Sequence, residues 1–288
     1  MTNLFRIAAI TDEFSQDLAT ALDSMAAIGM TGAELRMVNG KNVIDLTDEE
    51  LDEARKMCAD RGMEVISVAS PLLKCTLPNS PDIDPRFQQD MFAAKYGYGD
   101  QGRLTNRAID IAKRLGAPII RVFSFWRTVE PDRCFSQIVA ALSDLAAKAA
   151  KQNLIIGLEN EHACNIATAS ESVRVLNAVK HPNLKLVWDP ANCYLSGEDP
   201  YPAGYGGLPA DRIAHVHIKD CFIEEGHKPF WGPVGTCGID WRGQLDALAR
   251  DGYQGWISLE THWPGPAGDK HQASVICGWN LKYLVMRG

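Results

Sequence analysis

The feature that most constrains this chain is a repeated alternation between two kinds of segment. Short apolar runs rich in Ile, Val and Leu recur along its whole length, and longer amphipathic stretches separate most of them. The runs are Phe5–Ile10, Gly32–Val38, Glu64–Ala69, Ile119–Phe125, Leu154–Glu159, Lys185–Asp189, Ile213–Lys219 and Trp256–Glu260. Runs that are apolar at nearly every position read as parallel strands covered on both faces. Helices are expected over Asp17–Ile28, Thr47–Asp60, Arg103–Leu115, Asp132–Lys151, Ser170–Val179 and Gln244–Arg250. Gly29 and Gly116 supply C-caps, and Thr47-Asp48-Glu49-Glu50 is a capping-box pattern.

Repeated strand–helix units build a parallel sheet with helices outside it. About eight units favour a closed (β/α)8 TIM barrel over an open doubly wound sheet. At 288 residues, the chain is close to the ~250 of a single barrel, so one domain over 1–288 is expected. An open sheet would bind a nucleotide at a glycine-rich turn after its first strand. The turn here is Thr11-Asp12-Glu13-Phe14, which is acidic and has no glycine. Long connections follow strands 3, 6 and 7, at Lys74–Asp100, Tyr194–Pro209 and Cys221–Trp241. All three emerge on the face where barrels carry their chemistry.

Formal net charge is −7, which gives no basic footprint for a phosphate backbone, so no nucleic-acid partner is expected. No apolar run reaches the ~18 residues that span a membrane, and Met1–Ile10 lacks the marks of a secretory signal. The eight cysteines are scattered singly without a Cys-x-x-Cys pair. That pattern reads as reduced thiols in a cytoplasmic protein.

The chemistry concentrates at the ends of the last four strands. Strand five ends in Glu159, strand six in Asp189 and strand eight in Glu260; strand seven carries His215 and His217. A bare charge at the end of an apolar run is expensive. Three carboxylates converging on one barrel mouth repel each other unless a cation neutralises them. One divalent ion is the simplest resolution, held by Glu159, Asp189, His217 and Glu260. Three oxygens and one imidazole favour Mn²⁺, with Mg²⁺ or Co²⁺ as alternatives. His215 and His217 share a parity, so both point inward; His217 is taken as the ligand because it lies nearer the mouth. Arg121 sits inside an apolar run and needs a partner, for which a site carboxylate is suitable. Glu34 and Arg36 end strand two, within reach of substrate hydroxyls. His162, Asn192, Lys219, His215 and Trp126 complete the expected substrate contacts, with Trp231 and Trp263 as further wall candidates.

The runs Leu158-Glu159-Asn160, Trp188-Asp189-Pro190-Ala191-Asn192, His215-Val216-His217-Ile218-Lys219-Asp220 and Leu259-Glu260-Thr261-His262 resemble the xylose-isomerase-like barrels. Those include sugar isomerases, ketose 3-epimerases, hydroxypyruvate isomerase, inosose dehydratase and, more distantly, endonuclease IV. The resemblance covers nearly the whole chain. It implies a metal-dependent isomerase or epimerase acting on a ketose or keto-polyol through an enediolate, with Glu159 and Glu260 as both ligands and acid–base pair. The alternative it implies is a dehydratase or lyase on a keto-inositol or 3-keto-glycoside. An endonuclease IV-like reading needs more ligands, and Asn192 stands where that family has a histidine. Relatives are often dimers or tetramers, so a homo-oligomer is possible.

Overall fold

The computed structural model describes residues 2–87, 96–224 and 228–287. Eight parallel strands close into a barrel in sequential order. They are β1 (Arg6–Ile10), β2 (Gly32–Leu35), β3 (Glu64–Val68), β4 (Ile119–Val122), β5 (Ile155–Glu159), β6 (Leu184–Trp188), β7 (Ile213–Ile218) and β8 (Trp256–Leu259). Closure is through β8 and β1, with Trp256 opposite Arg6 and Leu259 opposite Ala9.

Each strand is followed by a helix. These are α1 (Leu18–Ile28), α2 (Asp48–Ala59), α3 (Gln101–Leu115), α4 (Phe135–Ala150), α5 (Ala169–Ala178), the short α6 (Pro190–Leu195), α7 (Trp241–Arg250) and α8 (Lys270–Val285). The expected caps are present. Thr47 and Glu50 form a reciprocal capping box on α2, and α1 ends at Gly29 with φ 93°. Among the described residues, no helix is long and apolar enough to cross a membrane.

The main core lies between the barrel and its helices, where Leu158, Trp188, Val216 and Leu259 pack against the helical faces. The barrel floor is separate: Ala8, Ile66 and Trp256 form their own buried cluster. Gly32 makes room for that indole, because a Cβ there would fall 2.8 Å from the Trp256 ring. This plug supports the polar layers above it.

The structure departs from the sequence expectations in three places. β2 stops at Leu35 rather than Val38, because Asn39 and Gly40 take positive φ (50° and 79°) and turn Met37–Val38 back onto Lys41–Asn42. β4 stops at Val122 rather than Phe125; the N–H groups of Phe123 and Phe125 donate instead to Leu72 O and Leu73 O. The α8 helix was not anticipated. Its buried face mixes small residues, Ala273, Ser274, Cys277 and Gly278, with Leu281 and Val285, while Trp279 and Tyr283 are exposed. Small residues on the buried face and large rings on the exposed one blur the apolar stripe, and the periodicity that signals a helix is weakened.

Two of the three long connections are not bare loops. The one after β6 begins with α6, and the one after β7 opens as a hairpin of Asp220–Ile223 against Pro229–Gly232. Residues 88–95 of the connection after β3, and 225–227 of the one after β7, lie outside the described residues.

Candidate metal centre

Strand parity fixes the layers of this site. Glu34, His215 and Ser258 form a lower layer. Glu159, Asp189, His217 and Glu260 lie above it, and Lys219, Arg36, Glu161 and His262 lie at the rim. Each rim residue is two positions beyond a residue below it, so both point into the barrel.

Ligand-capable atoms of Glu159, Asp189, His217 and Glu260 all lie within 4.8 Å of one another, and all four residues are buried. His217 Nδ1 faces Glu159 Oε1 at 3.3 Å, Glu260 Oε2 at 3.8 Å and Asp189 Oδ2 at 4.0 Å. Its other nitrogen, Nε2, lies 2.9 Å from Glu34 Oε2. A carboxylate behind an imidazole fixes the tautomer and leaves the front nitrogen free to bind an ion. This geometry points Nδ1 of His217, rather than any atom of His215, at the three carboxylates.

Glu34 and His215, expected among the substrate contacts, lie beneath the carboxylate layer. Both side chains are at most 1% exposed, and His215 Nε2 sits 2.7 Å from Glu34 Oε1. Burial alone would raise the Glu34 carboxyl, but His215 and His217 hold it well below the usual range.

Arginines grip the back of the two glutamates. Arg121 Nη1 donates to Glu159 Oε2 at 3.1 Å. Arg36 Nη1 donates to Glu260 Oε1 at 3.2 Å, while its Nη2 bonds Glu13 at 2.5 Å and Asp12 at 2.9 Å. Burial pushes both glutamates up, yet His217 and Arg121 bring Glu159 below its ordinary value. Lys219 does the same for Glu260, more strongly. Asp189 goes the other way: burial raises it to about 6, and Lys219 offsets only part of that.

Charge provides a test of fit to a cation. Among the described residues, Asp12, Glu13, Glu34, Glu159, Glu161, Asp189 and Glu260 face Arg36, Lys74, Arg121 and Lys219, together with His217, held well above its ordinary value by Glu34 and Glu159, and His162, raised by Glu161. Crowding so many carboxylates into a low-dielectric site is costly, and burial pushes Glu13 and Asp189 up to about 7 and about 6. Asp189 Oδ2 is also buried without a well-formed hydrogen bond. A hard divalent ion supplies positive charge there and suits a donor set of three carboxylates and one imidazole.

The rim carries two contrasting histidines. His162 Nδ1 lies 2.9 Å from both Glu161 Oε1 and Asn192 Oδ1, so that nitrogen carries the proton and Nε2 is left open. Burial opposes its charge, but Glu161 outweighs burial and raises it. His262 is 3.6 Å from Glu260 Oε1 and stacks on Trp231 at 4.5 Å. Burial and the neighbouring Lys219 lower it. Asn192 Nδ2 reaches Glu159 Oε1 at 3.5 Å, linking the His162 side of the rim to the cluster. Trp126 packs beside Lys74, whose Nζ is 5.7 Å from the ring. Glu161, Lys74 and His262 were not among the expected site residues. Glu161 and His262 were accessible by parity, being two positions beyond Glu159 and Glu260.

Residues 22–277 match the family described as xylose isomerase-like TIM barrel. The chain belongs to that family. A 3-dehydroshikimate dehydratase of Pseudomonas aeruginosa is 24% identical over 283 residues. The match takes in 95% of this chain, which spans only 41% of that relative's length. Inosose dehydratase 1 of Bacillus cereus is 22% identical over 260 residues, covering 83% of this chain and 80% of the relative. Among solved structures, the IOLI protein with a bound zinc atom superposes with TM-score 0.74 at 17% identity over 97% of each chain. D-psicose 3-epimerase with D-tagatose, from Clostridium cellulolyticum H10, gives TM-score 0.72 at 16% identity over 99% of this chain and 100% of that one.

Proposed function

We propose that this chain is a divalent-metal-dependent dehydratase that removes water from a neutral, polyhydroxylated cyclic ketone. The observation that carries the reading is the convergence of Glu159, Asp189, Glu260 and His217 Nδ1 in one buried cluster with the spacing of metal ligands. Dehydration takes precedence over the isomerase or epimerase expectation because two relatives that match most of this chain are named dehydratases. Excess carboxylate at the mouth disfavours a substrate that brings further negative charge, which supports a keto-polyol over a keto acid.

Glu159, Asp189, His217 and Glu260 would hold the ion, with Mn²⁺ the best match to the donor set. Bound there, the ion would act as a Lewis acid on the ketone oxygen and acidify the adjacent C–H. Glu159 and Glu260 are kept ionised by their arginine, lysine and histidine partners, the state in which either accepts that proton. The C–H electron pair becomes the new C=C bond as the β-hydroxyl departs. His162, whose doubly protonated form Glu161 favours, gives that hydroxyl the proton on Nε2 while Nδ1–H stays bonded to Glu161 and Asn192, and the hydroxyl leaves as water. Trp231 and His262 supply a flat wall beside the ring.

The test is to load the protein with Mn²⁺, add scyllo-inosose or 3-dehydroshikimate, and follow proton NMR in D₂O. Loss of water from scyllo-inosose in preference to the anionic ketone is expected. Conversion of ketoses to isomers or epimers, with no dehydration of either probe, would sink the proposal. Glu159→Gln and Glu260→Gln should each lower turnover by orders of magnitude, about 10²–10⁴-fold. Near-normal turnover in either variant removes that residue from proton transfer.

A further inference from the structure

Lys219 arrives from the same strand as His217, two positions on, and its side chain is 2% exposed. Its Nζ donates to Glu260 Oε2 at 2.6 Å and lies 2.9 Å from Asp189 Oδ2. Those are the oxygens of Glu260 and Asp189 that face His217 Nδ1, the ones an ion in this cluster would take. The ammonium fits them imperfectly, because Asp189 Oδ2 has its charge balanced but no well-formed hydrogen bond.

Among the described residues, Lys219 is the cation seated on both of those oxygens. Arg36 is on the opposite oxygen of Glu260, and Arg121 is on the outer oxygen of Glu159. His262 approaches Glu260 through Oε1, away from the cluster. A second seat for the ammonium is close by: the Trp231 ring centroid is 5.9 Å from Nζ, within cation–π reach.

We propose that Lys219 is the cation that holds the ligand cluster together in the metal-free chain, and that it gives up Asp189 and Glu260 when a divalent ion enters. The inference rests on reading the cluster as a cation site; it does not depend on the dehydration. Lys219 keeps the carboxylates from repelling each other while the site waits for metal. It also lowers metal affinity, because the incoming ion must displace a like charge.

Titration calorimetry of Mn²⁺ into chelator-stripped wild type and Lys219→Met tests this. Removing a like charge from the immediate neighbourhood of the ion should tighten binding by about tenfold or more. Metal-free Lys219→Met should unfold at a lower temperature than wild type, with Mn²⁺ restoring most of the difference. If the variant does not fold, the wild type decides alone, through reductive methylation read by mass spectrometry. Lys219 should be protected in the metal-free protein and modified once Mn²⁺ is bound. Unchanged or weaker Mn²⁺ affinity in the variant, or protection of Lys219 regardless of metal, would make it a fixed brace and overturn the inference. If neither protein takes up Mn²⁺ or Mg²⁺, the cation-site reading itself fails and this inference falls with it.

Discussion

At the scale of single residues, the site is organised by parity. Positions i and i+2 on a strand end point into the same barrel, so Glu34 is followed by Arg36, Glu159 by Glu161, His217 by Lys219 and Glu260 by His262. Arg36, Lys219 and His262 meet the carboxylate of Glu260 below them, while Glu161 pairs with Lys74 and His162. Arg36 reaches Glu260 at 3.2 Å, and Lys219 reaches it at 2.6 Å. Glu34 has a task that its position at a strand end did not suggest. It stands behind His217, with Oε2 2.9 Å from Nε2, where a carboxylate orients an imidazole. Glu34→Gln should therefore weaken Mn²⁺ binding by about 10–100-fold, as loss of a carboxylate behind a ligand histidine does elsewhere. Calorimetry checks this, and unchanged affinity would leave Glu34 with a purely structural role. The four converging groups were legible in the sequence because each ends an apolar run. Which face of His217 would bind was not, because that depends on Glu34 arriving from β2, far away in sequence.

At the scale of elements, the barrel strands were readable and their boundaries less so. A buried parallel strand announces itself by composition, but its end is set by where backbone N–H groups find other acceptors, as at Phe123 and Phe125. The hidden element was α8. Its Gly278 admits α1 so closely that a Cβ there would fall 2.6 Å from Ile28 Cδ1. Close approach selects small residues, and small residues blur the apolar pattern. The connection after β7 shows a further device. Asp220 accepts backbone N–H groups from Cys221 (3.0 Å), Gly235 (2.9 Å), Cys237 (3.1 Å) and Ile239 (3.3 Å). One carboxylate thus fixes the loop that carries Trp231 to the rim. Asp220→Ala leaves those donors unpaired and should cost about 1–3 kcal/mol. A lowered melting temperature, with faster hydrogen exchange confined to residues 221–239, is the expected result. Unchanged exchange there would show that the loop is held by its other contacts.

At the scale of the whole molecule, the concentration of acid in one barrel makes stability depend on pH. Glu13 is the clearest case outside the ligand cluster. Burial raises its carboxyl to about 7, because Arg36 is already shared with Asp12 and Glu260 and cannot fully offset the cost. Burial also raises Asp189 and Asp220 to about 6 each. A group whose folded value exceeds its unfolded one keeps a proton in the native state after the unfolded chain has released it. Its contribution is therefore fully present below the unfolded value and is lost as pH rises through the folded one. For Glu13 that window runs from 4.5 to about 7, and the loss across it is at most about 3 kcal/mol. Glu34, Glu161 and Glu260, held well below their ordinary value, act oppositely, and their stabilisation disappears only on acidification below that value. The metal-free protein should accordingly be most stable near the acidic end of the 4.5–7 window and weaken toward neutrality. Denaturant melts at fixed chelator concentration measure this directly. Glu13→Gln should flatten the slope, and an unchanged slope would show that Arg36 keeps Glu13 ionised throughout. Mn²⁺ should reverse the trend, because an ion binds only deprotonated carboxylates and stabilises the native state in proportion to its occupancy. A metal-loaded protein that still weakened toward pH 7 would mean that the cluster does not take the ion.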